Sequence, residues 1–306
     1  MNRDLLIIGG GPAGLTAGLY AARAGLKTLL LEMAAPGGQA AVTDMIDNYP
    51  GFPEGISGPE LMMKFMAQAE RFGLETRYEG VLEVNFSPRE KLVKTDGGDY
   101  VAQAVIIASG ASPRELGVPG EKEFRGRGVS YCATCDGAFF RNKRVLVVGG
   151  GDAAVEEGIF LTKFASQVIL VHRREALRAT RVLQDRALAN EKMELRFNAV
   201  VEEIRGGRLV ESVRLKDTTT GDVLDEPIDG VFIFVGTQPN TGFLGQAVTL
   251  DERGYVLTNE TLGASVAGVF AAGDVRSKFL RQVSTAVGDG AVAAMAAERW
   301  LAEQAK

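Results

Sequence analysis

A mixed α/β fold built around two strand–glycine loop–helix units is what this 306-residue sequence predicts. Three observations carry that reading. An apolar run, Leu5-Leu6-Ile7-Ile8, leads straight into Gly9-Gly10-Gly11-Pro12-Ala13-Gly14 and a helical stretch. The arrangement returns at Arg144–Val148, followed by Gly149-Gly150-Gly151-Asp152-Ala153-Ala154. Before that second unit lie the only two cysteines, in Ser130-Tyr131-Cys132-Ala133-Thr134-Cys135-Asp136-Gly137. A short, wholly apolar run bounded by glycines reads as a strand covered on both faces, which belongs to a parallel sheet.

Composition sets the frame. Hydrophobic residues make up 46% and charged residues 24%, ordinary for a globular protein long enough for two domains. The net charge of −5 and the lack of a basic stripe argue against nucleic acid as a partner. No uninterrupted apolar run reaches the ~18 residues that would span a bilayer. Met1-Asn2-Arg3-Asp4 leaves no room for a signal peptide before the first strand, so a cytoplasmic location is expected. There a lone dithiol pair is expected to be catalytic rather than structural.

The first unit has each part that dinucleotide binding needs. Gly9 makes the tight turn, Gly11 lets backbone approach a pyrophosphate, and Gly14 lets the helix pack closely. The next strand, Thr28–Leu31, ends at Glu32, where a carboxylate accepts from ribose hydroxyls. In the second unit the position in register with Glu32 is His172, followed by Arg173, Arg174 and Arg178. A carboxylate there would repel a 2′-phosphate, whereas arginines clamp one bidentately; the alternative is a solvated basic face. The chain is therefore expected to bind FAD at the first loop and NADPH at the second.

Between the units, Gly37-Gly38-Gln39 opens an irregular loop. Leu61, Phe65, Ala69 and Phe72 fall on one helical face and read as core. Alternating runs at 81–86, 91–95 and 100–102 read as an antiparallel meander that crosses to a buried strand at 104–108. Beyond the second unit the pattern predicts a helix near 180–189 and strands near 200–204, 209–217 and 231–235. A strand then delivers Asp274 at a turn, and a final helix runs over about 281–303. Gly288 and Gly290 near its start would admit something flat.

Cys132 and Cys135 have the spacing of the first turn of a helix, where two sulfurs can bond. The rival readings are a structural pair and half of a zinc site. Zinc wants four ligands, and with His172 the single histidine and no third cysteine, no metal is expected. Asp136, directly after Cys135, is either a proton donor for exchange or a helix cap.

These pieces together resemble the bacterial-type low-molecular-weight thioredoxin reductases, class II of the pyridine nucleotide-disulfide oxidoreductases. The likeness rests on Gly9–Gly14, Gly37-Gly38-Gln39, Asn48–Gly51, Ala108–Ala111, Gly126–Ser130, Cys132–Gly137, Gly149–Glu157, His172-Arg173-Arg174 with Arg178, Gly236–Asn240, Ala271–Val275 and Arg281-Gln282. It implies two Rossmann-like, three-layer ββα domains, the second inserted into the first. The FAD-binding domain would be 1–113 with 245–306. The NADPH-binding domain, 114–244, would carry the redox pair.

The resemblance further implies a homodimer, thioredoxin as disulfide substrate, and domain rotation on segments near Ser112–Leu116 and Gln238–Leu244. FAD would be held by Gly9, Gly11, Pro12, Ala13, Gly14 and Glu32. Gly38, Gln39, Asn48, Val84 and Gly110 would join them, with Gly273, Asp274, Arg281, Gln282 and Val283 closing the site. NADPH would lie on Gly149, Gly151, Asp152, Ala154, His172, Arg173, Arg174 and Arg178. Cys135 would face the flavin, Cys132 would attack thioredoxin, and Asp136 would be the acid. Two rivals of the same fold are a ferredoxin-fed reductase and a flavin-dependent dithiol oxidase. The intact Gly149–Ala154 loop and the Arg cluster count against both.

Overall fold

The computed structural model describes residues 2–43, 46, 48–87 and 90–304. The chain forms two compact units, Met1–Ser112 with Gln238–Lys306, and Pro113–Thr237.

The first unit starts with β1 (Asn2–Ile8), α1 (Pro12–Arg23), β2 (Thr28–Glu32), α2 (Gly58–Arg71) and β3 (Glu75–Tyr78). β4 (Val81–Phe86), β5 (Lys91–Thr95), β6 (Asp99–Ile107) and β7 (Ala111–Pro113) follow. The sheet runs β3-β2-β1-β6-β5-β4, parallel from β3 to β6 and antiparallel beyond. Leu5, Leu6, Ile7 and Ile8 are all buried, as a central parallel strand requires. Each such side chain contributes about 1.5–3 kcal/mol by leaving water. The runs expected at 100–102 and 104–108 are one continuous strand, β6. Its first half pairs with β5 (Leu92 with Val101), and its second half is left for a strand arriving later. On α2, Ser57 caps the first turn by accepting from the Glu60 N–H at 3.3 Å. Leu61 and Ala69 are buried as expected, but Phe72 ends the helix exposed, under the guanidinium groups of Arg23 and Arg71.

The second unit contains β8 (Val129–Ser130), α3 (Ala133–Asp136), β9 (Arg144–Val148), α4 (Asp152–Leu161), β10 (Gln167–Val171), α5 (Arg181–Leu188) and β11 (Met193–Arg196). β12 (Ala199–Gly206), β13 (Val210–Asp217), β14 (Val223–Pro227) and β15 (Gly230–Ile233) complete it. A parallel sheet of order β11-β10-β9-β15-β8 is accompanied by the antiparallel β12-β13-β14. β11 and β14 had no clear signal in the sequence. β14 reads as charged, and it is held by Glu226, which pairs with Arg144 at 2.7 Å and Arg196 at 2.5 Å.

The chain returns through β16 (Thr237–Pro239) to β17 (Val269–Ala271), which takes the free half of β6 (Phe270 with Ile106), and α6 (Val283–Gln304). α6 begins two residues later than expected, which leaves Arg281 and Gln282 in the preceding turn. Gly290 faces not a flat ligand but α1: a Cβ there would lie 2.3 Å from the Ala13 carbonyl oxygen.

The return into the first unit comes at Gln238, earlier than the expected 245. Asn240 explains the shift. Its Nδ2 donates to the Ser109 carbonyl at 2.8 Å, its N–H donates to the Gly110 carbonyl at 3.0 Å, and its Oδ1 accepts from Ser112 at 3.1 Å. Phe243 and Leu244 then pack into the first unit's core. Most of Gln238–Leu244, expected as a connecting segment, is thus anchored. No helix among the described residues is long and apolar enough to cross a membrane.

Candidate functional site

Both glycine loops are built alike from the backbone outward. The Gly9 N–H donates to the Leu31 carbonyl at 2.8 Å, and the Gly149 N–H to the Val171 carbonyl at 3.1 Å. Each therefore ties its loop to the neighbouring strand. Gly14 admits no side chain, since a Cβ there would lie 1.8 Å from the Gly9 carbonyl oxygen. α1 starts at Pro12 and α4 at Asp152, with glycine caps and no side-chain cap, so first-turn N–H groups stay available to a phosphate.

The residue closing each loop differs. Glu32 accepts the Gly10 N–H at 2.6 Å and the Ala34 N–H at 3.0 Å, so it shapes the loop as well as being placed for a ribose. His172 occupies the equivalent place under Gly150, where a Cβ would meet its ring at 2.2 Å. His172 is buried, and its Nε2 has no hydrogen-bond partner among the described residues. Burial, and then the charges of Arg178, Arg174 and Arg173, hold its pKa below the ordinary histidine value. His172, expected with the ligand-facing arginines, thus packs beneath the loop at Gly150. Arg173, Arg174 and Arg178 are exposed and form no ion pair among the described residues. Asp152 accepts the Thr180 N–H at 2.6 Å and holds the Arg-bearing loop, while Ala154 is fully buried under Gly149.

Several residues expected at the first site are brought together from distant parts of the chain. Gly38 lies over Gly11, where a Cβ on Gly38 would sit 3.4 Å from the Gly11 Cα. Asn48 Nδ2 donates to Gln282 Oε1 at 3.1 Å, across 234 residues. Gly273 abuts Ala13 at the start of α1. Gln39 is exposed, Gly110 receives Asn240, and Val283 opens α6. Arg281 stacks 4.1 Å from the Tyr255 ring and donates to the Asp274 carbonyl at 3.4 Å, so it holds the turn. Val84 pairs with Val93 across β4 and β5 and packs in the same core as Ile8, Leu31 and Ile107.

Asp274 is half-buried; its Oδ1 is buried, lies 3.9 Å from Lys278 Nζ and has no hydrogen-bond partner among the described residues. Burial raises its carboxyl pKa against the lowering charges of Lys278 and Arg281. An orphaned, buried acceptor of this kind fits a hydroxyl of a bound cofactor.

No sequence pattern signals the clamp behind this turn. Asp289 on α6 accepts the Gly273 N–H at 3.0 Å, Arg276 at 2.8 and 2.9 Å, and Lys278 at 2.9 Å. Burial pushes the Asp289 carboxyl up, but these cations outweigh it and hold the pKa below the usual range. Asp289→Ala is expected to cost about 3–5 kcal/mol, read as a lower denaturant midpoint, because it removes the ion-pair partner of Arg276, the nearer of the two carboxylates beside Lys278, and the acceptor of the Gly273 N–H. Because the folded pKa is depressed, this contribution is present above the ordinary carboxylate pKa and is lost as pH falls through the folded value.

In the second unit, Cys132 and Cys135 are joined by a disulfide, with Cys132 capping α3. Ser130 organises the pair. Its Oγ donates to Asp136 Oδ2 at 2.5 Å and accepts the Cys132 N–H at 3.1 Å. Asp136 thus ends α3 and stands before the 3-10 turn Gly137–Phe140, which its side chain does not cap; its carboxylate is held by Ser130 at the end of β8. Thr134 Oγ1 lies 3.4 Å from Cys132 Sγ. Upstream, Tyr131 donates to Glu121 at 2.7 Å, and Glu121 also accepts the Leu116 and Gly117 N–H groups at 2.8 and 2.7 Å.

Residues 3–290 match the family described as pyridine nucleotide-disulphide oxidoreductase. The chain belongs to that family. Among pyridine nucleotide-disulphide oxidoreductases it is similar to the thioredoxin reductase of Bacillus subtilis (strain 168), with 50% identity over 302 residues, 98% of this chain and 95% of the relative. The crystal structure of thioredoxin reductase from Streptococcus pyogenes MGAS5005 aligns with a TM-score of 0.94 at 50% identity, covering 99% of each chain. The thioredoxin reductase from Giardia duodenalis aligns with a TM-score of 0.92 at 40% identity, over 98% of this chain and 99% of that one. As a member of the family, this chain is a flavin- and pyridine-nucleotide-dependent oxidoreductase.

Proposed function

We propose that this protein is an NADPH-dependent thioredoxin-disulfide reductase, with FAD on the first unit and the Cys132–Cys135 couple on the second. The observation that carries it is the Cys132–Cys135 disulfide, with Asp136 held by Ser130, in the unit whose glycine loop is fringed by Arg173, Arg174 and Arg178. Those arginines, which form no ion pair among the described residues, suit the 2′-phosphate. Asp274, the uncapped start of α1 and the Asn48–Gln282 contact suit FAD. The protein works in the cytoplasm as a homodimer.

FAD, when bound, supplies a two-electron carrier between nicotinamide and disulfide. The residues of the chain do the rest. Two electrons break the Cys132–Cys135 bond. The Cys132 thiolate attacks the thioredoxin disulfide and forms a mixed disulfide as the first thioredoxin sulfur leaves. Cys135 then attacks Cys132, restoring the resting bond and expelling the second thioredoxin sulfur. Asp136 delivers the proton that a leaving sulfur takes up. The anchoring of Asp136 by Ser130 fixes where that proton is held.

Adding NADPH or NADH anaerobically to the flavin-loaded protein tests the reading. NADPH is expected to bleach the flavin band at concentrations where NADH does not. Bleaching by NADH alone would refute the phosphate assignment, and bleaching by neither would favour the ferredoxin-fed rival.

A further inference from the structure

Two sulfurs joined in one bond are alike until a neighbour distinguishes them, and here that neighbour is a hydroxyl. Thr134, the second residue of α3, holds its Oγ1 3.4 Å from Cys132 Sγ. A disulfide sulfur carries no hydrogen, so the hydroxyl is the donor. Among the described residues this is the one hydrogen-bond contact of either sulfur. Cys132 stands at the cap position of α3, yet its side chain accepts no N–H from the turn. The other hydroxyls of the redox turn are committed elsewhere. Ser130 Oγ binds Asp136 and the Cys132 N–H, and Tyr131 donates to Glu121. Thr134 is exposed and Cys132 half-buried, so the contact is open to an incoming disulfide.

We propose that Thr134 is a catalytic residue of the exchange: its hydroxyl donates to the Cys132 sulfur and makes that sulfur, rather than Cys135, the one that rests as thiolate and attacks the outside disulfide. The inference deepens the reductase reading and rests on it for the exchange itself.

The chemistry follows from where charge appears. Opening the bond takes up two electrons, which the nicotinamide supplies, and one proton where one sulfur stays ionised. A hydroxyl that donates weakly to a disulfide sulfur donates strongly to a thiolate, because a charged acceptor shortens and strengthens the bond. Thr134 therefore favours the product with the charge on Cys132 and the proton on Cys135. The Cys132 electron pair then forms a bond to one sulfur of the outside disulfide. That S–S bond breaks, and the departing sulfur takes the proton from Asp136. The ionisable groups on the turn and on the elements packed against it are mainly carboxyls, which disfavour an anion. They are Asp136, held by Ser130, and Asp152, Glu156 and Glu157 of α4, the helix against which α3 packs. Gly137–Phe140 carries no charge, and Arg125 lies over the ring of Tyr131.

The test reads Cys132 alone. The flavin-loaded Cys135→Ser protein keeps one thiol, and its attack on the neutral disulfide dithiodipyridine is followed from about pH 5 to 10 by the thiopyridone released. Neither NADPH nor thioredoxin enters, so failure here is distinct from failure of the reductase reading. Adding Thr134→Val, which keeps the shape and loses the hydroxyl, is expected to raise the midpoint of the rate profile by about one pH unit, roughly the worth of one hydrogen bond to a charged group. The thiolate fraction then falls about tenfold on the acid side, offset about threefold by the stronger nucleophile that a higher pKa brings. The rate is expected to be about threefold lower on the acid side and about threefold higher on the alkaline plateau, so the two profiles cross. A change that only displaced the sulfur would move the rate in one direction and leave the midpoint where it was. Thr134→Ala, a second way to remove the hydroxyl, is expected to match Thr134→Val, and Thr134→Ser to follow the Cys135→Ser parent. An unshifted midpoint in both Thr134→Val and Thr134→Ala, or a Thr134→Ser profile that matches theirs, would overturn the proposal.

Discussion

Cys132→Ser or Cys135→Ser is expected to lower thioredoxin-disulfide turnover by at least about 10³-fold, as loss of a nucleophile does, while the flavin remains reducible. The two effects separate because the disulfide lies downstream of the flavin. Anaerobic titration reads the difference directly. The wild type should take up two molar equivalents of NADPH per chain, two electrons for the flavin and two for the Cys132–Cys135 bond, and either variant only one molar equivalent. The variants also divide the labour of the pair. A thiolate–flavin absorption band that survives Cys132→Ser and disappears in Cys135→Ser assigns Cys135 to the flavin side. The opposite pattern reverses the two sulfurs. Uptake of two equivalents by either variant would show that the pair is not the second electron store.

Arg173→Gln, Arg174→Gln and Arg178→Gln together are expected to raise the KM for NADPH by about 10²-fold or more and to leave that for NADH nearly unchanged. A hydrogen bond between charged groups contributes about 1.5–3 kcal/mol, so one lost contact alone is worth roughly 10- to 100-fold. The effect should shrink as salt rises, because the side chains are exposed. Parallel losses with NADH would mean that the arginines support the loop instead. The positions make that outcome informative, since the loop already has its own supports in Asp152, which binds the Thr180 N–H, and in buried His172.

The two glycine loops were legible in the sequence because their requirements are local. A tight turn, a close backbone approach and an uncapped helix start each demand a residue type at a fixed spacing. The cysteine pair was legible for the same reason, since two thiols three positions apart at a helix start can meet without help from the rest of the chain. Where local pattern was the only guide, it misplaced some features. Phe72 had the spacing of a core residue, but the helix ended there. Gly290 looked like room for a ligand and is instead the contact with α1. Nothing in the local pattern of Gln238–Leu244 signalled the anchoring of Asn240, which binds three residues more than a hundred positions away.

Residue order along the chain was enough to mark two glycine loops, one closed by Glu32 and the other fringed by arginine, and a dithiol pair. How these parts are held came only from folding. It set Asn48 against Gln282, placed Asp289 behind the Gly273–Asp274 turn, turned Asp136 to Ser130, and put His172 beneath its loop. The physical reason is range. Spacing along a chain reports groups that share a turn or a strand. The protonation of a buried carboxyl, or the partner of a lone amide, depends on what folding brings beside it and on the water it removes.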